Sequence, residues 1–207
     1  MEGRRRAYIL LGVIGVLEVV ALVVLFAVPS HKTKAPGATV TGHASKIMEL
    51  TSSAFSPNGS IPSVYTCEGG NINPPLVISH VPAGARSLAL LVDDPDVPQA
   101  LMPGGVFDHW VLYNMPTTTK EIPPNSHVGT IGKNGMGKEA YTGPCPPSQY
   151  EPKEHRYVFK LYALDQELLF AGSPTKTEVV EAMKGHILET AELVGMYQKM
   201  HQKNISK

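Results

Sequence analysis

The stretch His155-Arg156-Tyr157-Val158-Phe159-Lys160-Leu161-Tyr162-Ala163-Leu164 alternates for part of its length between apolar and polar side chains. A period of two marks a strand with one buried face. It puts His155 and Tyr157 on one face and Arg156 on the other. Similar short runs recur at Ile47 to Thr51, Ser63 to Thr66, Leu76 to Ser79, Ser87 to Val92 and Trp110 to Asn114. Turn-rich segments separate them: Ser56-Pro57-Asn58-Gly59, Glu68-Gly69-Gly70-Asn71 and Pro82-Ala83-Gly84. Short strands with Gly/Pro punctuation predict a mainly β domain, a sandwich or barrel. One helix is expected. Thr175-x-x-Glu178 is a capping-box pattern preceded by Pro174, an apolar face follows at Val179, Val180, Ala182 and Met183, and Gly185 supplies a stop. Residues from Ile187 to Tyr197 carry two readings: propensity favours helix, while Ala191, Leu193, Gly195 and Tyr197 alternate like a strand.

The front of the 207-residue chain has a different character. Ala7 to Val28 is an apolar run of about 22 residues with one charge, Glu18. That length crosses a bilayer core of roughly 30 Å. Arg4, Arg5 and Arg6 precede it, which orients residues 1–6 to the cytoplasm and the rest outside. The rival is a cleaved signal peptide, but the run exceeds the usual apolar core and Val28-Pro29-Ser30 is a poor cleavage site. Residues 29–46, rich in Pro, Gly, Ser, Thr and Lys, read as a flexible linker. Residues 47–200 fit one domain and 201–207 a tail. The expected location is a single-pass membrane protein with its C-terminal domain extracytoplasmic.

The 18 basic and 18 acidic residues cancel, and no basic stripe is visible, so nucleic acid is excluded as a partner. The two cysteines, Cys67 and Cys145, lack the spacing of a zinc ribbon or a thioredoxin-type site. They either pair, closing a loop of about 78 residues worth roughly 4 kcal/mol in the chain-entropy model, or stay as buried thiols.

Three segments carry chemistry. Asp93-Asp94-Pro95-Asp96-Val97-Pro98 leaves an apolar run, where a plain solvated turn is the alternative reading. Asp108-His109-Trp110 opens another strand; a carboxylate near the imidazole fixes its tautomer and favours its charged form, which suits an anion. Gly143-Pro144-Cys145-Pro146-Pro147, followed by His155-Arg156-Tyr157, supplies a stiff wall and then an imidazole and a phenol side by side. Gly132 to Lys138 (GKNGMGK) imitates the start of a phosphate-binding loop, but Glu139 stands where Ser or Thr is needed and no helix pattern follows. No Gly-x-Ser-x-Gly elbow exists for a hydrolytic triad.

Taken in order, these segments resemble the phosphatidylethanolamine-binding protein family, also called Raf kinase inhibitor protein-like, and especially its bacterial and archaeal branch. The resemblance spans 47–199. It includes Tyr65-Thr66-Cys67 with Gly70-Asn71, Pro74-Pro75-Leu76, the Asp-Pro-Asp-x-Pro element, Asp108-His109-Trp110, Tyr141 to Pro147, His155-Arg156-Tyr157 and Lys184-Gly185-His186-Ile187-Leu188. It implies a two-sheet β fold with few peripheral helices, an extended Ile187–Tyr197, and an anion pocket. The matching pocket positions are Asp94, Asp96, Phe107, His109, Tyr141, Gly143, Pro147, His155 and Tyr157. Asn73 replaces a frequent Ser, and Ser148 to Glu154 lacks the usual Gly and looks rearranged.

The expected function is a membrane-anchored binding protein for a small anionic group, phosphate or a phospholipid headgroup, with no cofactor and no catalytic residue. One alternative is a protein target, a protease or kinase regulated through surface loops. Another is a metal-dependent hydrolase built on the two Asp and two His.

Overall fold

The structure is a computed structural model and describes residues 46–200. The expected membrane span, Ala7 to Val28, lies outside the described residues, as do the linker up to residue 45 and the tail 201–207. Among the described residues no helix is long and apolar enough to cross a membrane.

Among the described residues nine strands and one α-helix build a mainly β domain. In chain order they are β1 (Glu49–Thr51), β2 (Gly59–Ser60), β3 (Leu76–Ser79), β4 (Ser87–Asp94), β5 (Phe107–Met115), β6 (Glu121–Ile122), β7 (Thr130–Ile131), β8 (Glu154–Leu164), α1 (Lys176–Met183) and β9 (Ile187–Gln198). The larger sheet runs β2-β9-β8-β4-β5-β7 and the smaller β1-β3-β6. All pairings are antiparallel except β2 with β9.

The small sheet covers one face of the large one. Leu50, Leu76, Ile78 and Ile122 from the small sheet pack with Leu90, Val92, Trp110, Leu112, Tyr157, Phe159 and Leu161 from the large sheet. On the opposite face α1 lays Val179 and Met183 over Ala89, Leu91, Val111 and Tyr113. A strand covered on both sides has no polar face to show. That is why β4 is buried at all eight positions and reads as an apolar run from Leu88 to Val92 before Asp93 and Asp94. β8, covered on one side at its start, alternates as its sequence predicts: His155 and Tyr157 are buried and Arg156 is exposed.

The helix starts at its capping box, with Thr175 and Glu178 each bonding the other's backbone, and Gly185 ends it in the left-handed region. The β9 segment settles as strand. Pairing along β8 from Glu154↔Gln198 to Leu164↔Ile187 outweighs its helical propensity. One expected strand is absent: Ser63–Tyr65 is a 3₁₀ turn. Pro62 brings no backbone donor, its carbonyl accepts from Tyr65 N, and Ser63 O accepts from both Thr66 N and Thr66 Oγ1. The chain therefore turns back locally instead of finding a partner strand.

Candidate ligand pocket

The pocket begins with an irregularity in β5. Val92 pairs with Trp110 but Asp93 pairs with Asp108, so His109 is an extra residue, a β-bulge. A bulge re-aims a side chain that strict alternation would send to the other face. Asp108 stays on the α1 side, where Lys176 Nζ lies 2.9 Å from Asp108 Oδ1 and 2.7 Å from Asp93 Oδ1. His109 turns instead toward the face of Asp94. Its ring is set edge-on to Phe107 at 4.7 Å and to Tyr157 at 5.1 Å.

Asp94, the last residue of β4, is buried and has one partner on each carboxylate oxygen. Its Oδ2 meets His155 Nδ1 at 2.7 Å and its Oδ1 accepts from Asp96 N at 2.9 Å. His155 Nε2 faces Pro152 O at 3.0 Å. A carbonyl can only accept, so Nε2 carries a proton, and a second proton lies between Nδ1 and the carboxylate. His109 Nδ1 faces Thr142 O at 2.5 Å, so Nδ1 donates and Nε2 is left with a lone pair in the neutral ring. Burial pushes the His109 pKa below its ordinary value, against the Thr142 bond and the charges of Asp94 and Asp108, which pull it up. Burial thus works against the charged form that the sequence reading expected of His109.

These groups meet at a cavity of about 580 Å³. Of the residues singled out from sequence, Asp94, Phe107, His109, Tyr141, Gly143, Pro147 and His155 line it. Asp96 and Tyr157 do not. Asp96 is clamped by Arg156, with Nε to Oδ2 at 2.9 Å and Nη2 to Oδ1 at 2.6 Å. Tyr157 is 1 % exposed, and its hydroxyl has no well-formed hydrogen bond within the protein. Burial, the Asp94 charge and contact with Asp94 hold its pKa above the ordinary phenol value. Two expected donors are also spent internally: Tyr141 Oη donates to Tyr65 O and Gly143 N to Asn71 Oδ1. Gly143 is required by close approach, because a Cβ there would sit 2.5 Å from Tyr65 O.

Sequence reading gave no pocket role to Asn71, Val97 and Thr142, which stand inside the segments it quoted, or to Met136, Lys138 and Ala140, and all six line the cavity. The signal for Met136 and Lys138 lay in the imitation phosphate loop. Asn134 is buried at its centre, with Oδ1 accepting from Met136 N and Lys138 N and Nδ2 donating to Ala140 O and Thr142 Oγ1. That knot occupies two of the backbone amides a phosphate would need and presents Met136 and Lys138 to the cavity instead. Cys67 and Cys145 are disulfide-bonded, with Cα atoms 5.5 Å apart, and both line the cavity. Among the described residues no group of three or more His, Cys, Asp or Glu is placed to hold a metal ion.

A two-sheet β domain with this pocket at one end of its large sheet defines a class of small binding modules. The family model described as Phosphatidylethanolamine-binding protein matches residues 51–198, and the chain belongs to that family. It is similar to a UPF0098 protein of Chlamydia pneumoniae, 44 % identical over 153 residues, covering 73 % of this chain and 99 % of that one. A UPF0098 protein of Pyrococcus horikoshii is 36 % identical over 203 residues, covering 94 % of this chain and 97 % of that one. The crystal structure of a phosphatidylethanolamine-binding protein homolog from Chlamydia trachomatis superposes with a TM-score of 0.70 at 42 % identity, covering 74 % of this chain and 99 % of that one.

Proposed function

We propose that the protein is an extracytoplasmic binding domain, tethered through Ala7–Val28, whose pocket takes a small anionic group such as phosphate or a phospholipid headgroup. The observation that carries this is the bulged His109. Its Nε2 lone pair belongs to a buried ring whose other nitrogen is already anchored to Thr142 O. An entering anion adds negative charge beside the ring and raises its affinity for a proton. The ring then donates twice, to Thr142 O and to the anion. Asp94 repels an anion less than a lone carboxylate would, because its Oδ2 is paired with His155 Nδ1. Lys138 adds a cation to the lining, and Asp94 retains lone pairs for an ammonium such as that of phosphoethanolamine. The disulfide supports the extracytoplasmic placement, since such bonds persist in oxidising compartments.

The reading makes binding proton-coupled. Burial holds the His109 pKa below the ordinary imidazole value, and the ring takes up a proton when the anion binds. Affinity therefore rises as pH falls through the His109 pKa of the complex, and levels off below the His109 pKa of the free protein. Calorimetry with phosphate, phosphoethanolamine and sulfate tests this, sulfate keeping its charge throughout. Wild type should bind more tightly at pH 6 than at pH 8 in all three cases, and His109→Ala should lose binding while staying folded. Equal affinity in wild type and His109→Ala would remove the pocket assignment.

A further inference from the structure

The outer wall of the cavity is the segment Gly143-Pro144-Cys145-Pro146-Pro147. Its first two residues are tied to the 65–71 segment by ordinary bonds. Gly143 N donates to Asn71 Oδ1 at 2.8 Å, and Cys67 N donates to Pro144 O at 3.1 Å. Beyond Pro144 the ties thin out. The stretch from Cys145 to Gln149 makes one backbone-to-backbone hydrogen bond, Tyr150 N to Pro147 O; its other non-covalent ties are the contact of the Tyr157 hydroxyl with the Cys145 backbone and the burial of Pro146. Prolines at 146 and 147 have no N–H to offer. The covalent bond from Cys145 to Cys67 is the strongest tie of the part of the wall that carries Pro146 and Pro147, both of which line the cavity. Both cysteines are exposed, and neither belongs to either apolar core. An exposed disulfide is open to thiolate attack and is among the more labile ones.

We propose that Cys67–Cys145 is a thiol–disulfide exchange site that sets the shape of the pocket, its reactant being a dithiol reductant. One thiolate of the dithiol attacks a cysteine sulfur, the S–S bond breaks, and the released cysteine sulfur takes a proton. The second thiol of the reductant then displaces the other cysteine from the mixed disulfide. Two electrons and two protons reach Cys67 and Cys145, and the reductant leaves as its own disulfide. The wall is then held at Gly143 and Pro144 but free at Cys145, Pro146 and Pro147. A wall no longer fixed must be ordered again by each ligand, which lowers affinity. This consequence rests on the anion-pocket reading; the exchange itself does not.

The full-length protein is treated with millimolar dithiothreitol without denaturant, then alkylated and weighed, and its β-sheet circular dichroism and phosphate affinity are compared before and after. Two alkylated thiols per chain, an unchanged sheet signal and phosphate binding weaker by about tenfold are expected. The double variant Cys67→Ser with Cys145→Ser should match the reduced wild type. A bond that resists the reductant in the folded protein, a sheet signal that collapses on reduction, or equal affinity of the oxidised and reduced forms would each overturn the proposal. Should the oxidised protein fail to bind phosphate, the pocket reading falls, and the alkylation count alone decides whether exchange occurs.

Discussion

Asp93 and Asp94 are neighbours in the chain and sit on opposite faces of the same strand, as Asp108 and His109 do on the next. On the helix side Lys176 closes the account: one ammonium lies between two carboxylates, at 2.7 and 2.9 Å. On the pocket side no lysine is buried. Asp94 is met by a histidine, and the second histidine keeps a nitrogen free. The same residue types thus make a closed structural triad on one face and a protonatable, open site on the other. Alternation separates Asp93 from Asp94; the bulge separates Asp108 from His109.

The sharpest way to break the comparison is to remove the partner that is most deeply buried. The His155 side chain is 0 % and that of Asp94 5 % exposed. His155→Ala would leave the carboxylate in the interior with its backbone donor alone. Loss of one member of a buried pair costs about 3 kcal/mol or more, because the remaining charge is stranded. Urea denaturation should show this loss, together with loss of phosphate binding. A stability change below that of the triad variant described next would mean that Asp94 finds water or another donor.

Lys176→Met probes the other face. Its carboxylate partners are less buried, with Asp93 10 % and Asp108 28 % exposed, so the expected loss is smaller, about 2 kcal/mol. The pH dependence has a definite sign. Burial pushes the Asp93 pKa above its ordinary value even with Lys176 pulling it down. Without the lysine it rises further. A carboxyl with a raised folded pKa is best tolerated when protonated, so its cost grows as pH rises through that pKa and fades at acid pH. The deficit of Lys176→Met should therefore shrink between pH 7 and pH 4. A deficit that stays constant would show that the lysine acts through packing of its stem.

Most of this architecture is legible in the sequence, and the exceptions have physical causes. The apolar run of β4, the alternation of β8 and the capping box of α1 are local signals, and each marks its element. β2, β6 and β7 have two residues each, too few for any period to show. The turn at Ser63–Tyr65 has the composition of a strand and is decided by Pro62 and Thr66. In the pocket, residue types announced themselves, but what each group is bonded to did not. Tyr141 and Gly143 spend their donors on Tyr65 and Asn71, from a segment some 70 residues earlier in the chain. Lys138 enters the cavity through a knot centred on a single asparagine. Such pairings are set by the meeting of distant loops, which periodicity does not encode.

The smallest expected effect concerns Asp96, which resembles a pocket residue in sequence and stands outside the cavity in space. Arg156 holds it through side chain and backbone, but the Arg156 side chain is 54 % exposed, so screening limits the pair to less than about 1 kcal/mol. Bonding to Arg156, against a smaller penalty from burial, keeps the Asp96 pKa below its ordinary value of 3.8. A depressed carboxyl lends its stability above its unfolded pKa and loses it as pH falls through the folded one. Arg156→Ala should thus cost a little at pH 7 and less as pH falls through the depressed Asp96 pKa, and leave phosphate affinity where it was. A phosphate affinity that drops with Arg156→Ala would place Asp96 back among the groups that shape the pocket, and the boundary between the open face and its structural surroundings would have to be redrawn one residue further along the chain.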